Sequence, residues 1–155
     1  MLKTLKFYQT INGKIPFLKW FDKLDIIIKT RVRQRLDRLA LGQSGIIMIK
    51  KQKKNVRTVD YHDWLINSLS NNPKEAEMYL QAALEEYQTE GNTDALLLAM
   101  RHVAEARGGI SKLSRQTKLN RESLYKTLST RGNPRLQTFG VLLNALGFHL
   151  SIRAI

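Results

Sequence analysis

The sequence predicts a mainly α fold: a C-terminal helical helix-turn-helix domain with a short terminal strand, preceded by a small N-terminal strand plus a two-helix fragment. Three observations predict this class. Apolar residues recur at steps of three and four along most of the 155 residues, as they do on one face of a helix. Proline, Asn, Asp or Gly stands where most of these stretches begin or end. Hydrophobic residues make up 43% of the chain, which is enough for a packed core.

The N-terminal part is predicted to contain one strand and two helices. Residues 6–10 are rich in aromatic side chains, which favours a strand. A helix is predicted over residues 16–24, because a proline suits its first position. A second helix is predicted over residues 25–41, because its apolar residues repeat at helical steps and a glycine follows.

A lysine-rich stretch separates this part from the rest of the chain. Residues 48–57 are polar and basic, and we interpret them as a linker. The N-terminal fragment covers residues 1–47, and its last residues already form the start of the polar stretch that leads into the linker. The larger domain then covers residues 58–155.

The larger domain is predicted to begin with three helices, over residues 61–70, 73–89 and 94–107. The pair Asn72-Pro73 supplies a capping side chain followed by a proline at the first helical position. The third of these helices is strongly apolar on one face, and two glycines end it.

Two short helices joined by a tight turn follow, over residues 110–129. Asn120 stands where the second helix requires an N-cap, so the next three residues form an exposed first turn. The pair Asn133-Pro134 is predicted to open one more helix that ends at residue 146. Apolar and polar residues alternate over residues 148–153, which predicts a short strand.

Charge is divided unevenly among three parts of the chain. Residues 1–57 carry 15 Lys/Arg and 3 Asp/Glu, residues 58–107 carry 3 and 9, and residues 108–155 carry 8 and 1. A basic C-terminal part fits binding to phosphates. The acidic middle part would repel DNA and fits a basic protein partner.

Composition excludes several kinds of chemistry. The chain has no Cys, so thiolate metal sites and cysteine nucleophiles are absent. His62, His102 and His149 lack the spacing of metal ligands, so we expect no metal and no cofactor. The first residues lack a signal-peptide apolar region, and no run approaches about 18 apolar residues. We therefore expect a cytoplasmic protein that is not bound to a membrane.

The two-helix unit at residues 110–129 has the arrangement that places a helix in the DNA major groove. Arg121 is suited to guanine and Glu122 to a cytosine amine, while Tyr125 and Lys126 suit a thymine methyl or a phosphate. The predicted DNA-contacting residues are Arg115, Gln116, Thr117, Asn120, Arg121, Glu122, Ser123, Tyr125, Lys126, Arg131, Asn133 and Arg135. An ordinary helical hairpin in an α-bundle is the alternative.

Residues 56–155 resemble the helix-turn-helix addiction-module antidotes, the HigA-like antitoxins of the Cro or lambda-repressor type. The residues that carry the resemblance are 59–65, 79–86, 101–109, 121–125 and 132–134. One departure is Lys118, which stands where the turn usually holds glycine. A left-handed conformation at this lysine would cost some strain.

The first 45 residues resemble the start of a RelE/HigB-like killer toxin, on residues 17–21 and 32–42. The RNA-cleaving sheet of that family has no counterpart here, so we infer a truncated toxin fused to its antidote, or an over-long reading frame. Without the sheet, the two helices must pack on the second domain, dimerise or stay loosely ordered. The arginines of the second helix are interpreted as a solvated face rather than an RNA contact.

Three functions are compatible with these observations. The favoured one is a non-enzymatic antitoxin and autorepressor that binds palindromic double-stranded operator DNA as a homodimer and neutralises a basic RelE/HigB-like toxin. The predicted toxin-contacting residues are Tyr61, Trp64, Glu75, Glu85 and Glu86. The alternatives are a phage-type transcription regulator without a toxin partner and a ribosome-dependent RNA-cleaving toxin. The last is disfavoured because residues 1–45 contain no His for acid–base catalysis.

Overall fold

The computed structural model describes residues 3–43 and 57–152. These residues are mainly helical, and a two-stranded sheet joins the N-terminal part to the rest, which confirms the predicted class. The elements are β1 (Lys6–Gln9), α1 (Pro16–Phe21), α2 (Ile26–Leu41), β2 (Arg57–Asp60), α3 (Tyr61–Asn71), α4 (Pro73–Glu90), α5 (Thr93–Ala106), α6 (Gly109–Thr117), α7 (Arg121–Thr127) and α8 (Leu136–Ala145).

The predicted ends of α2 are confirmed. The Asp25 carboxylate caps the helix by accepting hydrogen bonds from the amides of Ile27 and Ile28, at 2.9 and 3.0 Å. Gly42 ends the helix in the left-handed region, with φ of 75°. These local signals fix the length of α2 without reference to the rest of the molecule.

The side of α2 that is buried was not predicted. The apolar repeat that predicts the helix leaves Ile28 43% exposed. The three buried residues are instead Thr30, Arg33 and Asp37. A polar face can be buried in this way because its partners on α3 and α4 are polar as well, as described below.

The small sheet pairs the predicted N-terminal strand with a second strand that begins at the end of the predicted linker. Strand β2 runs antiparallel to β1, with Phe7 opposite Val59. No strand was predicted at residues 57–60, because four residues with no apolar alternation carry little signal. The predicted basic linker at residues 48–57 lies outside the described residues apart from Arg57, which begins β2.

One hydrophobic cluster runs through both parts of the chain. It includes Phe7 from β1, Leu65 from α3, Met100 from α5, Leu124 from α7 and Leu142 from α8. Helix α5 lies at its centre, with nine of its residues buried. Of the three possibilities for the N-terminal helices, the structure shows packing on the second part: Phe21 is only 1% exposed.

Two predicted elements differ near the C-terminus. Helix α8 begins at Leu136, and its N-cap is Arg135 without a side-chain hydrogen bond, so Asn133 and Pro134 precede the helix rather than cap it. Residues 148–152 form no strand. A strand needs a hydrogen-bonding neighbour. The Phe148 ring instead packs against the guanidinium of Arg107, whose central carbon lies 4.5 Å from the ring centre.

Candidate functional site

Helices α6 and α7 are joined by a three-residue turn, residues 118–120. Lys118 adopts the left-handed conformation, with φ of 59°, although glycine is the residue that usually takes it. The Ser114 hydroxyl donates to the carbonyl of Leu119 at 2.6 Å, which ties the turn back to α6. Leu113, Leu124 and Leu128 are buried in the seam between the helices and the core, as predicted.

The start of α7 is fixed by its cap. The Asn120 side chain accepts a hydrogen bond from the amide of Glu122 at 2.9 Å, which confirms the predicted N-cap. Residues 121–123 are all exposed, and the buried Leu124 turns the opposite side of the helix to the core. Because residues four apart share a helix face, residues 121, 122, 125 and 126 line the outer side.

The predicted DNA-contacting residues are exposed with one exception. Thr117 is half-buried, and its hydroxyl donates to the carbonyl of Leu113 at 2.8 Å and accepts from the amide of Leu119 at 3.3 Å. These two hydrogen bonds therefore stabilise the C-terminal end of α6. Within residues 3–43 and 57–152, the predicted basic contacts form no ion pair. The exposed residues are Arg115, Gln116, Asn120, Arg121, Glu122, Ser123, Tyr125, Lys126, Arg131, Asn133 and Arg135.

The chain turns sharply after α7, at Gly132. A Cβ atom at this glycine would lie 2.0 Å from the carbonyl oxygen of Thr127 and 3.0 Å from Leu97 Cδ1. Only glycine permits this close approach of two backbone segments. The turn places Arg131 and Arg135 on either side of the segment that leads into α8.

The predicted toxin-contacting residues lie in a second region, and four of the five contact the N-terminal helices. Tyr61 is 3% exposed, and the Trp64 ring meets the Phe21 ring edge-on at 5.1 Å between centroids. The carboxylates of Glu75 and Glu86 pair with arginines of α2. Glu85 alone is exposed.

Two arginines of α2 make these pairs, so the prediction of a solvated arginine face is wrong for the buried Arg33, while Arg38 is partly exposed. Arg33 Nη2 lies 2.7 Å from Glu75 and 2.9 Å from the Ser68 hydroxyl. Arg38 lies 2.7 Å from Glu86 and 2.6 Å from Glu90, and these hydrogen bonds raise its pKa. We call the residues that receive α2, namely Tyr61, Trp64, Ser68, Glu75, Tyr79 and Glu86, the α2-binding face.

A buried polar cluster completes this contact. The Asp37 carboxylate accepts hydrogen bonds from the hydroxyls of Tyr79 and Tyr61, the latter at 3.0 Å. With Asp37 ionised, the single hydroxyl hydrogen of Tyr79 is used, so His102 Nδ1 donates to Tyr79 at 2.8 Å. Burial raises the pKa of Asp37 to about 7 and lowers that of His102 to about 3. The hydroxyls of both tyrosines have raised pKa values for the same reason.

Sequence reasoning missed this cluster. Asp37 and His102 are 65 positions apart in the sequence, and no spacing rule connects an aspartate, two tyrosines and a histidine on four different helices. The structure also brings the rings of His62 and His102 to 5.4 Å between centroids. Among the described residues no His, Asp or Glu group has the geometry of a metal site. No described helix has the length and apolar character needed to cross a bilayer.

Comparison with known proteins identifies relatives of the larger part of the chain. A family described as probable addiction module antidote protein matches residues 62–154. An uncharacterized protein of Haemophilus influenzae is 33% identical over 78 residues, which are 50% of this chain and 79% of that protein. That protein is therefore about 99 residues long. No solved structure matches the chain.

Proposed function

Because the chain belongs to the family of probable addiction module antidote proteins, we propose that it is a DNA-binding antitoxin of a type II toxin–antitoxin module. In this proposal it represses its own operon and neutralises a basic RelE/HigB-like toxin. The proposal of DNA binding rests on the geometry of α7. This helix is capped, and its exposed outer side bears Arg121, Glu122, Tyr125 and Lys126.

Helices α6 and α7 serve as the helix-turn-helix, of the HigA-like type, and α7 enters the major groove. Arg121 in the first turn bonds two acceptors of one guanine, which is the commonest specific contact. Lys126, one turn later, contacts a phosphate and adds affinity without sequence preference. The buried Leu124 and Leu128 support this geometry because they fix the rotation of α7 about its axis.

Phosphates on either side of the groove are held by residues outside α7. Arg115 and Gln116 near the end of α6 face one backbone, and Arg131 and Arg135 face the other. No side chain caps α8, so its first amides are available to a phosphate as well. Asn133 lies exposed between the two arginines.

A homodimer would place two such helices about one helical turn of DNA apart. Exposed apolar side chains support self-association of the C-terminal part. They lie on α8 and on the segment that follows it, and they are Leu136, Val141, Leu150 and Ile152.

Binding rather than catalysis is the role that we propose for the chain, and the burial of His102 fits it. His102 is buried, and its lowered pKa keeps it neutral, so it has neither the access nor the pKa of a general base at neutral pH. We interpret residues 1–47 as a truncated RelE/HigB-like toxin fragment that lacks the residues for RNA cleavage. The protein acts in the cytoplasm, where its DNA and toxin partners are found.

A mobility-shift titration of the promoter DNA upstream of the gene, at two salt concentrations, tests the proposal. Arg121→Ala should weaken binding by about 1–3 kcal/mol and relax the preference at one base pair. Lys126→Ala should weaken all sequences about equally and reduce the salt dependence. Lys74→Ala is the control, because Lys74 is also exposed but lies on the acidic helix α4, paired with Glu77.

The result that would contradict the proposal is an absence of any shift at low salt for the folded protein. Equal losses for Arg121→Ala and Lys74→Ala would also contradict it, since they would indicate a nonspecific charge effect. Co-purification of a small basic protein would separate the antitoxin from a phage-type regulator that has no toxin partner.

A further inference from the structure

The contact between α2 and the α2-binding face has the character of an interface between two proteins. Helix α2 carries five basic residues and one acid, and α4 carries one basic residue and five acids. Two helices of opposite charge therefore pack together, and the residues buried on α2 are polar. Charge complementarity of this kind specifies partner and register.

Arg33 is the anchor of the contact. Its side chain is 1% exposed, and its guanidinium carbon lies 5.2 Å from the Phe21 ring centre and 5.4 Å from that of Trp64. Its Nε and Nη1 atoms have no hydrogen-bond acceptor among the described residues. The guanidinium is therefore held by one carboxylate, one hydroxyl and aromatic faces. An arginine in an aromatic pocket is typical of the residues that dominate binding energy at interfaces.

The region that matches the antidote family does not include α2. The family match begins at residue 62 and spans 93 residues, and the Haemophilus influenzae relative has about 99 residues in total. A protein of that length has no room for the matched region and a segment equivalent to residues 3–43. In such a protein the counterparts of Glu75, Tyr79 and Glu86 would have no α2 to contact. A face of paired carboxylates and aromatic rings then fits a basic helix from another molecule.

We propose that the α2-binding face is the docking site for an arginine-bearing helix of the toxin, and that α2 occupies this site from within the chain. The partner helix carries an arginine, a hydrogen-bond acceptor four residues after it and a second arginine five residues after it. In this chain these positions are Arg33, Asp37 and Arg38. Residues 3–43 consequently block toxin uptake until they are displaced. This inference rests on the proposed antitoxin function.

The test measures uptake of a labelled peptide of residues 14–43 by the full chain, using fluorescence anisotropy. Wild-type protein should bind the peptide weakly, because its own α2 fills the site. The R33A–R38A chain should bind the wild-type peptide at least tenfold more tightly, because its own segment competes poorly. A peptide that itself carries R33A–R38A should not bind to either chain.

The matched control is the R31A–R35A chain, which loses two exposed arginines from the same helix and should behave as wild type. Circular dichroism verifies that each variant is folded. If R33A–R38A does not fold, Arg38→Ala alone is used, because the Arg38 side chain is 31% exposed and lies at the rim of the contact.

Two results would overturn the inference: a folded R33A–R38A or R38A chain that takes up the peptide no better than wild type, or equal uptake by the R31A–R35A chain. The titration contains no DNA. A failed mobility shift and a failed peptide titration are therefore separate results, the first against the proposed function and the second against the docking site.

Discussion

Replacing Arg33 by alanine tests how strongly the fold depends on the ion pair beneath α2. The guanidinium lies 2.7 Å from the Glu75 carboxylate, and the two side chains are 1% and 12% exposed. The substitution removes this pair, the hydrogen bond to Ser68 and the contacts with two aromatic rings. Glu75 retains only the hydroxyl of Ser68, 2.8 Å away, as a side-chain partner.

The expected loss of stability is about 3–5 kcal/mol. Removing one partner of a buried pair costs this much because the other charge stays desolvated without compensation. The loss is a large part of the roughly 5–15 kcal/mol by which domains are usually stable. With a urea m-value of about 2 kcal/mol/M, the unfolding midpoint should fall by about 2 M.

Urea denaturation followed by circular dichroism measures this midpoint at pH 7. Arg31→Ala is the matched control: Arg31 is exposed on the same helix, so its replacement should change stability by less than about 0.5 kcal/mol. Arg33→Ala combined with Glu75→Ala should be less destabilised than the sum of the single variants. A loss below about 1 kcal/mol for Arg33→Ala would refute the reasoning, since the buried pair would then contribute little.

Three further predictions concern single positions. For Asp37, a pKa raised from 3.8 to about 7 means that its contribution to stability is full below pH 4 and is lost as the pH rises through 7. The stability of wild type relative to Asp37→Asn should therefore fall by up to about 4 kcal/mol between pH 4 and pH 8, and an unchanged difference would contradict the burial argument. Lys118→Gly should raise stability by about 0.5–1 kcal/mol in thermal unfolding, because glycine adopts the positive φ without strain. Lys112→Gly is the control: this lysine lies inside α6, so its replacement by glycine should lower stability by about 1 kcal/mol. Gly132→Ala should cost about 1–3 kcal/mol, because the new Cβ meets the Thr127 carbonyl. Gly140→Ala, where a Cβ meets nothing within 4 Å, should not destabilise, and equal losses at the two glycines would contradict this explanation.

Local signals predicted most of the helices and the exposed outer side of α7. The capping side chains of Asp25, Asn72 and Asn120 act within three residues of their own positions, so they can be read from the sequence. The same reasoning failed at Asn133, since its distance from the helix depends on how Gly132 packs against α7. The strand predicted over residues 148–153 is not formed at residues 148–152, because alternation of apolar and polar residues cannot supply a neighbouring strand.

The acidic character of residues 58–107 could also be predicted, but its present partner could not. Charge counts show that this part suits a basic partner, and they do not say that α2 of the same chain is that partner. Glu75 and Glu86 were placed among the toxin contacts. The structure pairs both with α2, and it leaves Glu85 exposed.

The sequence by itself determined where most of the helices begin and end and which residues of α7 face outward. Each of these depends on atoms a few residues apart. Only the tertiary structure decided which face of α2 is buried and which residues gather around Asp37. Those outcomes depend on contacts between residues that are 24 to 65 positions apart in the sequence. Burial and charge pairing act together in these contacts, and no periodic pattern in the sequence predicts them.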